Sequence, residues 1–470
     1  MSRLVRLSVL AMGLSACAVG ARRAPPVAAG APGAAQQSPA FVAAVTAAAD
    51  RIATASAEGP TAAWDRLAEL ADGIGNRITG SRALERALAW AALQMRTDGL
   101  DDVRLEPVEV PHWVRGRERA TILSPVQRSM ALLGLGGTVG TRVPVRAPIV
   151  AFDDLDALRA STASLAGTIA FVNHRMPPYD EAHDDPGYMR GVQARLHAAS
   201  EAAKRGARAV LIRSVTATSL RTPHTGALKY DEGIAKIPAA ALSIEDAELL
   251  ARLARRGPVE VELSLAARTL PDAPSANVVG ELRGRELPEE IVLLGAHIDS
   301  WDIGQGASDD GAGCVAVIEA LRLLRRAGLT PRRTIRAVLF TAEEYGLAGA
   351  KAYHDRHRPD RHVAAFETDY GMAAPDAIGV GGGDVALAAM APLLPAFGRF
   401  GIRRFREHAF GADVEPVVAD GAAAFNLQPD GHRYFDIHHT GADTLDKIRP
   451  EDLRRNAAAI ALLGWVLAER

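Results

Sequence analysis

Residues 291–324 read IVLLGAHIDSWDIGQGASDDGAGCVAVIEALRLL. The opening run, Ile291–Leu294, is continuously apolar, as in a strand buried on both faces. The closing run, Gly311–Leu324, repeats its apolar residues every three or four positions and reads as a helix. His297, Asp299, Asp309 and Asp310 lie between the two. The same rhythm recurs downstream, with candidate strands at Thr334–Phe340 and His362–Phe366 and candidate helices at Gly346–His354 and Glu451–Ala468. Strands alternating with helices predict an α/β fold, a mostly parallel mixed sheet with helices on both faces. Ligands of such sheets collect beyond the carboxyl ends of the strands.

Upstream, the pattern is helical from Phe41, with 3–4 spacing in Pro60–Gly73 (Trp64, Leu67, Leu70) and Ser81–Met95 (Leu84, Leu88, Met95). Val103, Leu105, Val108 and Val110 then suggest a strand interrupted by Pro107. Residues 130–268 read as a separate α/β unit. Its strand Thr168–Val172 precedes a helix over Val192–Arg205, which Gly206 ends, and Ala209–Ile212 is the next strand. Gly134, Gly136 and Gly137 lack the third glycine of a dinucleotide loop and are discounted as one. The organisation expected is a main domain over 41–129 and 269–470, interrupted by the unit at 130–268.

The chain has 470 residues, 48% hydrophobic and 23% charged, which excludes a disordered or collagen-like chain. Its 54 basic and 56 acidic residues nearly cancel, so no strong field exists to hold nucleic acid or an anionic bilayer. Met1–Cys17 reads MSRLVRLSVLAMGLSAC, a basic start and a short apolar run with the layout of a signal peptide. Its end, Leu14-Ser-Ala-Cys17, resembles a bacterial lipoprotein cleavage box, with a plain signal cut nearby as the alternative. Ala18–Ala40, rich in Ala, Pro and Gly, reads as a flexible tether. The expectation is an exported protein held to a membrane only through a lipid on Cys17, or secreted in soluble form. With Cys17 lipidated, Cys314 has no partner for an internal disulfide.

Five polar clusters follow. They are His297-Ile-Asp299-Ser300, Gly306–Gly313 with Asp309 and Asp310, Glu343-Glu344, Phe366-Glu367-Thr368-Asp369, and His438-His439-Thr440 with Asp443. Each alone has a plain explanation; an Asp-Asp at a helix start is a cap favoured by the dipole. Four of the five adjoin an apolar strand or a strand-to-helix junction. Together they supply at least two histidines and four carboxylates as donors, a set that suits zinc and is large enough for two ions. His183, His224 and His357 read as surface or structural, and Asp180-Glu181 with Asp184-Asp185 as a solvated acidic loop.

The series His297–Gly313, Thr341-Ala-Glu-Glu344, Phe366-Glu-Thr-Asp369 and His438-His439-Thr440 resembles the co-catalytic zinc exopeptidases. That family includes bacterial aminopeptidases, glutamate carboxypeptidases and glutaminyl cyclases. Gly75–Ser81, Pro111–Gly116, Pro223–Gly226, and Lys236–Pro238 with Glu245-Asp246 extend the resemblance over nearly the whole mature chain. It implies that 130–268 is an inserted protease-associated domain. It further implies two zinc ions per chain, with His297 and Asp369 on one, Glu344 and His439 on the other, and Asp309 bridging. Asp299 would orient His297, Glu343 would be the general base, and His438 would have no ligand role. The activity implied is exopeptidase hydrolysis of dipeptides or small peptides, by a homodimer. Gly421–Phe425 departs from the family's Gly-x-Pro at that place, which concerns a specificity wall and not the metals. The alternatives on the same fold are a glutaminyl-peptide cyclase and a metal-free receptor-like module, and the complete donor set argues against the second.

Overall fold

In the computed structural model, which describes residues 38–59 and 61–470, the apolar runs pair into one eight-stranded sheet. The signal at 1–17 with its Cys17, and all but the end of the tether at 18–40, lie outside the described residues. The strands of this sheet are β1 (Asp101–Val114), β2 (Arg268–Leu282), β3 (Leu287–His297), β4 (Arg333–Phe340), β5 (Arg361–Glu367), β6 (Ala377–Val380), β7 (Arg404–Glu407) and β8 (Ala423–Gln428). Their spatial order is β1-β2-β4-β3-β5-β8-β6-β7. The centre β4-β3-β5-β8 is parallel, whereas β1, β2 and the β8-β6 pair are antiparallel to their neighbours.

The longer helices that cover this sheet are α1 (Pro39–Ala57), α2 (Arg82–Thr97), α3 (Ala312–Arg326), α4 (Ala348–His357) and α5 (Pro450–Glu469). Side chains alternate across the pleat. Val292, Leu294 and Ala296 of β3 pack with Ile52 of α1, Leu88 of α2, Val317 of α3 and Leu463 of α5. Leu293, between them, faces Tyr353 of α4 on the other side. Burying each such aliphatic side chain stabilises by ~1.5–3 kcal/mol, so both faces of β3 are committed to the core and only its carboxyl end is available for chemistry. The helix α1 starts at Pro39, two residues before the sequence pattern suggests, because Ser38 accepts the Phe41 N–H as a cap. Pro107 does not interrupt β1. That strand is the sheet edge, where one row of N–H groups pairs with nothing, so a residue without an N–H is tolerated.

Between β1 and β2 the chain builds a second eight-stranded sheet with its own cores on its two faces. In spatial order its strands are Arg128–Met130, Glu118–Ser124, Glu260–Leu265, Val145–Phe152, Ile169–Val172, Ala209–Arg213, Ala239–Leu242 and Leu132–Gly134. The strand Glu118–Ser124 pairs with Glu260–Leu265, so this sheet takes up chain from residue 118, ahead of the 130 expected from sequence. Short and flanked by charges, that strand carries little apolar signal of its own.

Candidate metal centre

The parallel centre of the main sheet delivers the polar clusters to one place. His297 is the last residue of β3, and Glu343-Glu344 and Asp369 follow β4 and β5 directly. Asp309 comes from the turn before α3, and His438-His439 from the turn after the short helix Tyr434–Ile437. The imidazole Nε2 of His297 lies 3.2 Å from an oxygen of Asp309 and 3.2 Å from one of Asp369. The Nε2 of His439 lies 3.3 Å from the other Asp309 oxygen and 2.9 Å from Glu344. Asp309 thus stands between two histidine–carboxylate groups.

These distances bear on what the cluster can hold. A charge-assisted N–H···O bond closes to ~2.7–2.9 Å, whereas two ligands on a tetrahedral zinc at ~2.0–2.2 Å stand ~3.4 Å apart. Three of the four contacts have the longer spacing. One oxygen each of Asp309 and Glu344 is buried with no hydrogen bond. The donor set therefore fits a cation. Charge points the same way. Burial drives protons off both histidines, yet the surrounding carboxylates outweigh it, holding His297 well above the ordinary histidine range and His439 at about 9. A divalent cation would displace those protons.

Adjacent residues divide their roles. Asp310 turns away from Asp309 to accept the His297 and Gly313 N–H groups, so it is the cap that an Asp-Asp at a helix start suggests. The side chain of Glu343 has no hydrogen-bond partner among the described residues. Burial, followed by the charges of Asp369, Glu344 and Asp413 and despite His297, pushes its carboxyl well above the ordinary range. Asp299 departs from the expected orienting contact. The backbone carbonyl of Asp299, not its carboxylate, receives the His297 Nδ1–H at 3.1 Å, and the carboxylate is 3.8 Å away. Its two oxygens accept the Glu343 N–H (3.1 Å) and the Thr79 hydroxyl (3.0 Å). The carbonyl reaches the ring because the chain leaves β3 at His297, while the side chain points back towards the Glu343 turn.

Residues given no ligand role by the sequence also take part. Asp443 accepts the N–H groups of Ser308 and Asp309. His438 stacks on His439 at 3.6 Å between ring centroids and places Nε2 3.5 Å from Asp309, close enough for Asp309, His438 and His439 to form a potential metal group of their own. The second sheet's unit also reaches the centre. The Thr225 N–H donates to the His439 carbonyl at 3.0 Å, and Arg195 and buried His224 lie beside that residue. A Cβ on Gly136 would overlap the Trp301 indole, and Trp301 with Tyr345 and Trp113 lines a cleft beside Glu344. Gly136 could be found from sequence only as a glycine in an unassigned loop. His357 and His183 lie elsewhere, paired with Glu106 and Asp180.

Residues 277–464 match the model of Peptidase family M28. The chain is 38% identical over 410 residues to carboxypeptidase Q of Bos taurus, covering 86% of this chain and 85% of that one. Among solved structures it is similar to a Peptidase M28 precursor from Shewanella amazonensis SB2B, with 36% identity, a TM-score of 0.86, and coverage of 91% of this chain and 98% of that one. It shares its fold with BSAP, a zinc aminopeptidase from Bacillus subtilis, at 21% identity and a TM-score of 0.64 over 87% of this chain and 95% of that one.

Proposed function

From the premise that the chain belongs to peptidase family M28, we propose that it is a di-zinc exopeptidase acting on dipeptides or small peptides. His297, Asp369 and Asp309 would hold one zinc, and Glu344, His439 and the other oxygen of Asp309 the second. The observation that carries this reading is the position of Asp309 between two histidine–carboxylate groups at ligand-to-ligand spacing. Bound zinc polarises a scissile carbonyl and makes water a stronger acid.

The remaining work falls to protein groups. Glu343 accepts the proton of the attacking water and returns it to the leaving amine. Such a base must be within hydrogen-bond reach and otherwise unengaged, and its carboxylate has no competing partner. Asp299 fixes the Glu343 backbone through its N–H, and Asp443 does the same for Asp309. The unit at 130–268 fits the reading of an inserted protease-associated domain, and its Thr225 closes the site on the His439 side. Hydrolysis is favoured over cyclisation of N-terminal glutamine by the likeness to carboxypeptidase Q, which extends through this unit.

The test is zinc content together with hydrolysis of a panel of dipeptides, amino-acid amides and N-blocked peptides. About two zinc per chain, with activity lost on chelation and restored by zinc, is expected. A reconstituted protein that binds no zinc would leave the receptor-like module. Export with a lipid on Cys17 and homodimer assembly complete the proposal. Cys17→Ser is expected to release the protein from the membrane fraction or block its processing, and light scattering to give twice the chain mass.

A further inference from the structure

The segment Gly75-Asn-Arg-Ile-Thr-Gly-Ser81 supplies neither a metal donor nor the base, yet it lies against the loop that joins His297 to Asp309. Arg77 in this segment is fully buried, and a buried cation requires hydrogen-bonding partners. Buried Arg115 and Arg336 meet that need with carboxylates, Asp302 and Glu118 for the first, Glu281 and Asp360 for the second. The Arg77 guanidinium instead donates to carbonyls: Ile298 at 2.7 Å, Gln305 and Gly306 at 2.8 Å each, and Gly75 at 3.2 Å. Its backbone is tied to the same loop. The Arg77 N–H donates to Ser300 Oγ at 3.0 Å, and its carbonyl accepts the Ser300 N–H at 3.3 Å.

These bonds bracket the bridging position. Ile298 directly follows His297. The Gly306 carbonyl that Arg77 holds also accepts the Gly311 N–H at 3.1 Å, which closes the turn carrying Asp309. Asp443 takes N–H groups of that turn, and Arg77 takes the carbonyl at its base. Gly306 lets the loop come this close, since a Cβ there would stand 2.9 Å from Arg77 Nη2 and 2.4 Å from Ser300. Two residues beyond Arg77, the Thr79 hydroxyl donates to one Asp299 oxygen at 3.0 Å, and the other accepts the Glu343 N–H at 3.1 Å. One segment therefore reaches both the bridge and the base.

We propose that Arg77 and Thr79 are positioning residues: Arg77 sets the bridging carboxylate Asp309 relative to His297, and Thr79, through Asp299, sets the general base Glu343. This rests on the di-zinc peptidase reading above. A guanidinium suits the first task because its planar fork holds several acceptors in fixed directions, which an ammonium does not. The second matters because a base displaced by a fraction of an ångström to 1 Å loses rate without losing substrate.

The experiment is made on the full chain. Arg77→Lys keeps the charge and loses the fork. Its zinc affinity, read by competition with a chromogenic chelator, is expected to fall ~10–100-fold, as when a ligand loses its support. Thr79→Val should keep its zinc and lose ~10–100-fold in kcat with KM little changed. Thr79→Ser, which retains the hydroxyl, should stay close to wild type. Wild-type zinc affinity in Arg77→Lys overturns the first assignment. Full activity in Thr79→Val, or a loss in Thr79→Ser equal to that in Thr79→Val, overturns the second. Should Arg77→Lys fail to fold, Ser300→Ala, which removes one acceptor of the clamp, decides by the same titration, and wild-type affinity again overturns it. Amide hydrogen exchange on the metal-free proteins reads the same contacts without zinc. Residues 298–311 should exchange faster in Arg77→Lys, and Glu343 faster in Thr79→Val, than in wild type; equal exchange overturns the corresponding assignment. If wild type binds no zinc, the peptidase reading falls and exchange alone judges the two positioning contacts.

Discussion

The Asp443 carboxylate grips the turn that presents Asp309: its two oxygens accept the N–H of Ser308 at 2.6 Å and that of Asp309 at 3.1 Å. Burial, together with the Asp309 charge, pushes Asp443 up to about 7. The amide in Asp443→Asn would turn a donor towards one of these N–H groups and release the turn. Zinc affinity is expected to fall ~10–100-fold, the usual cost of losing a group that supports a ligand. Competition against a chromogenic chelator measures it, and an affinity equal to wild type would remove Asp443 from the site.

The adjacent glutamates make separable predictions. Glu343→Gln should retain zinc and fold while kcat falls ~10²–10⁴-fold with little change in KM. Asp309→Asn should lose metal along with activity, because a neutral amide leaves the cations' charge uncompensated. Zinc analysis of Glu343→Gln and Glu344→Gln decides the assignment. Metal loss confined to Glu343→Gln would exchange the two roles.

Gly136 touches the Trp301 indole from the second sheet's unit. Gly136→Ala should force the indole aside or lift that unit off the cleft, costing ~1–3 kcal/mol as overpacking does and lowering kcat/KM. Gly398, with nothing within 4 Å of its Cβ position, is the control, and Gly398→Ala should change neither quantity. Thermal melts and kinetics on both variants check this; equal behaviour of the two would mean that the contact is not tight.

The edge strand β1 is tied to α4 by Glu106, which meets His357 at 2.9 Å and Arg104 at 2.9 Å. Burial opposes its charge, but His357 and Arg104 outweigh burial and hold Glu106 at about 2, against 4.5 for an ordinary glutamate. A depressed carboxyl stabilises the fold fully above its unfolded pKa and loses that contribution as pH falls through its folded one. Wild type should therefore exceed Glu106→Gln in stability by up to ~3 kcal/mol at pH 7. The gap should close as pH drops from about 4.5 towards 2. Urea unfolding of both proteins across that range reads the difference, and a gap independent of pH would show that packing rather than charge maintains it.

Much of the candidate metal centre was legible in one dimension. An apolar run such as Ile291–Leu294 is a core strand wherever it sits, because its burial is a property of its own side chains. His297, Asp309, Glu343, Glu344 and Asp369 could be picked out because each follows such a run or opens a helix, and the topology of a parallel sheet brings those ends together; His439, in the turn after a short helix, was marked by the family resemblance alone. Tertiary structure decided what no local pattern encodes. Glu118–Ser124 belongs to the second sheet because of its pairing with Glu260–Leu265. The Asp299 carbonyl, rather than its carboxylate, meets His297 because of how the chain turns after β3. Arg195 and His439 lie 244 residues apart in the chain and 3.4 Å apart in space. Their meeting depends on two separately built sheets docking at Thr225 and Gly136. Periodicity reports the local free energy of burial, whereas docking depends on shape and hydrogen bonding between surfaces that are distant in the chain.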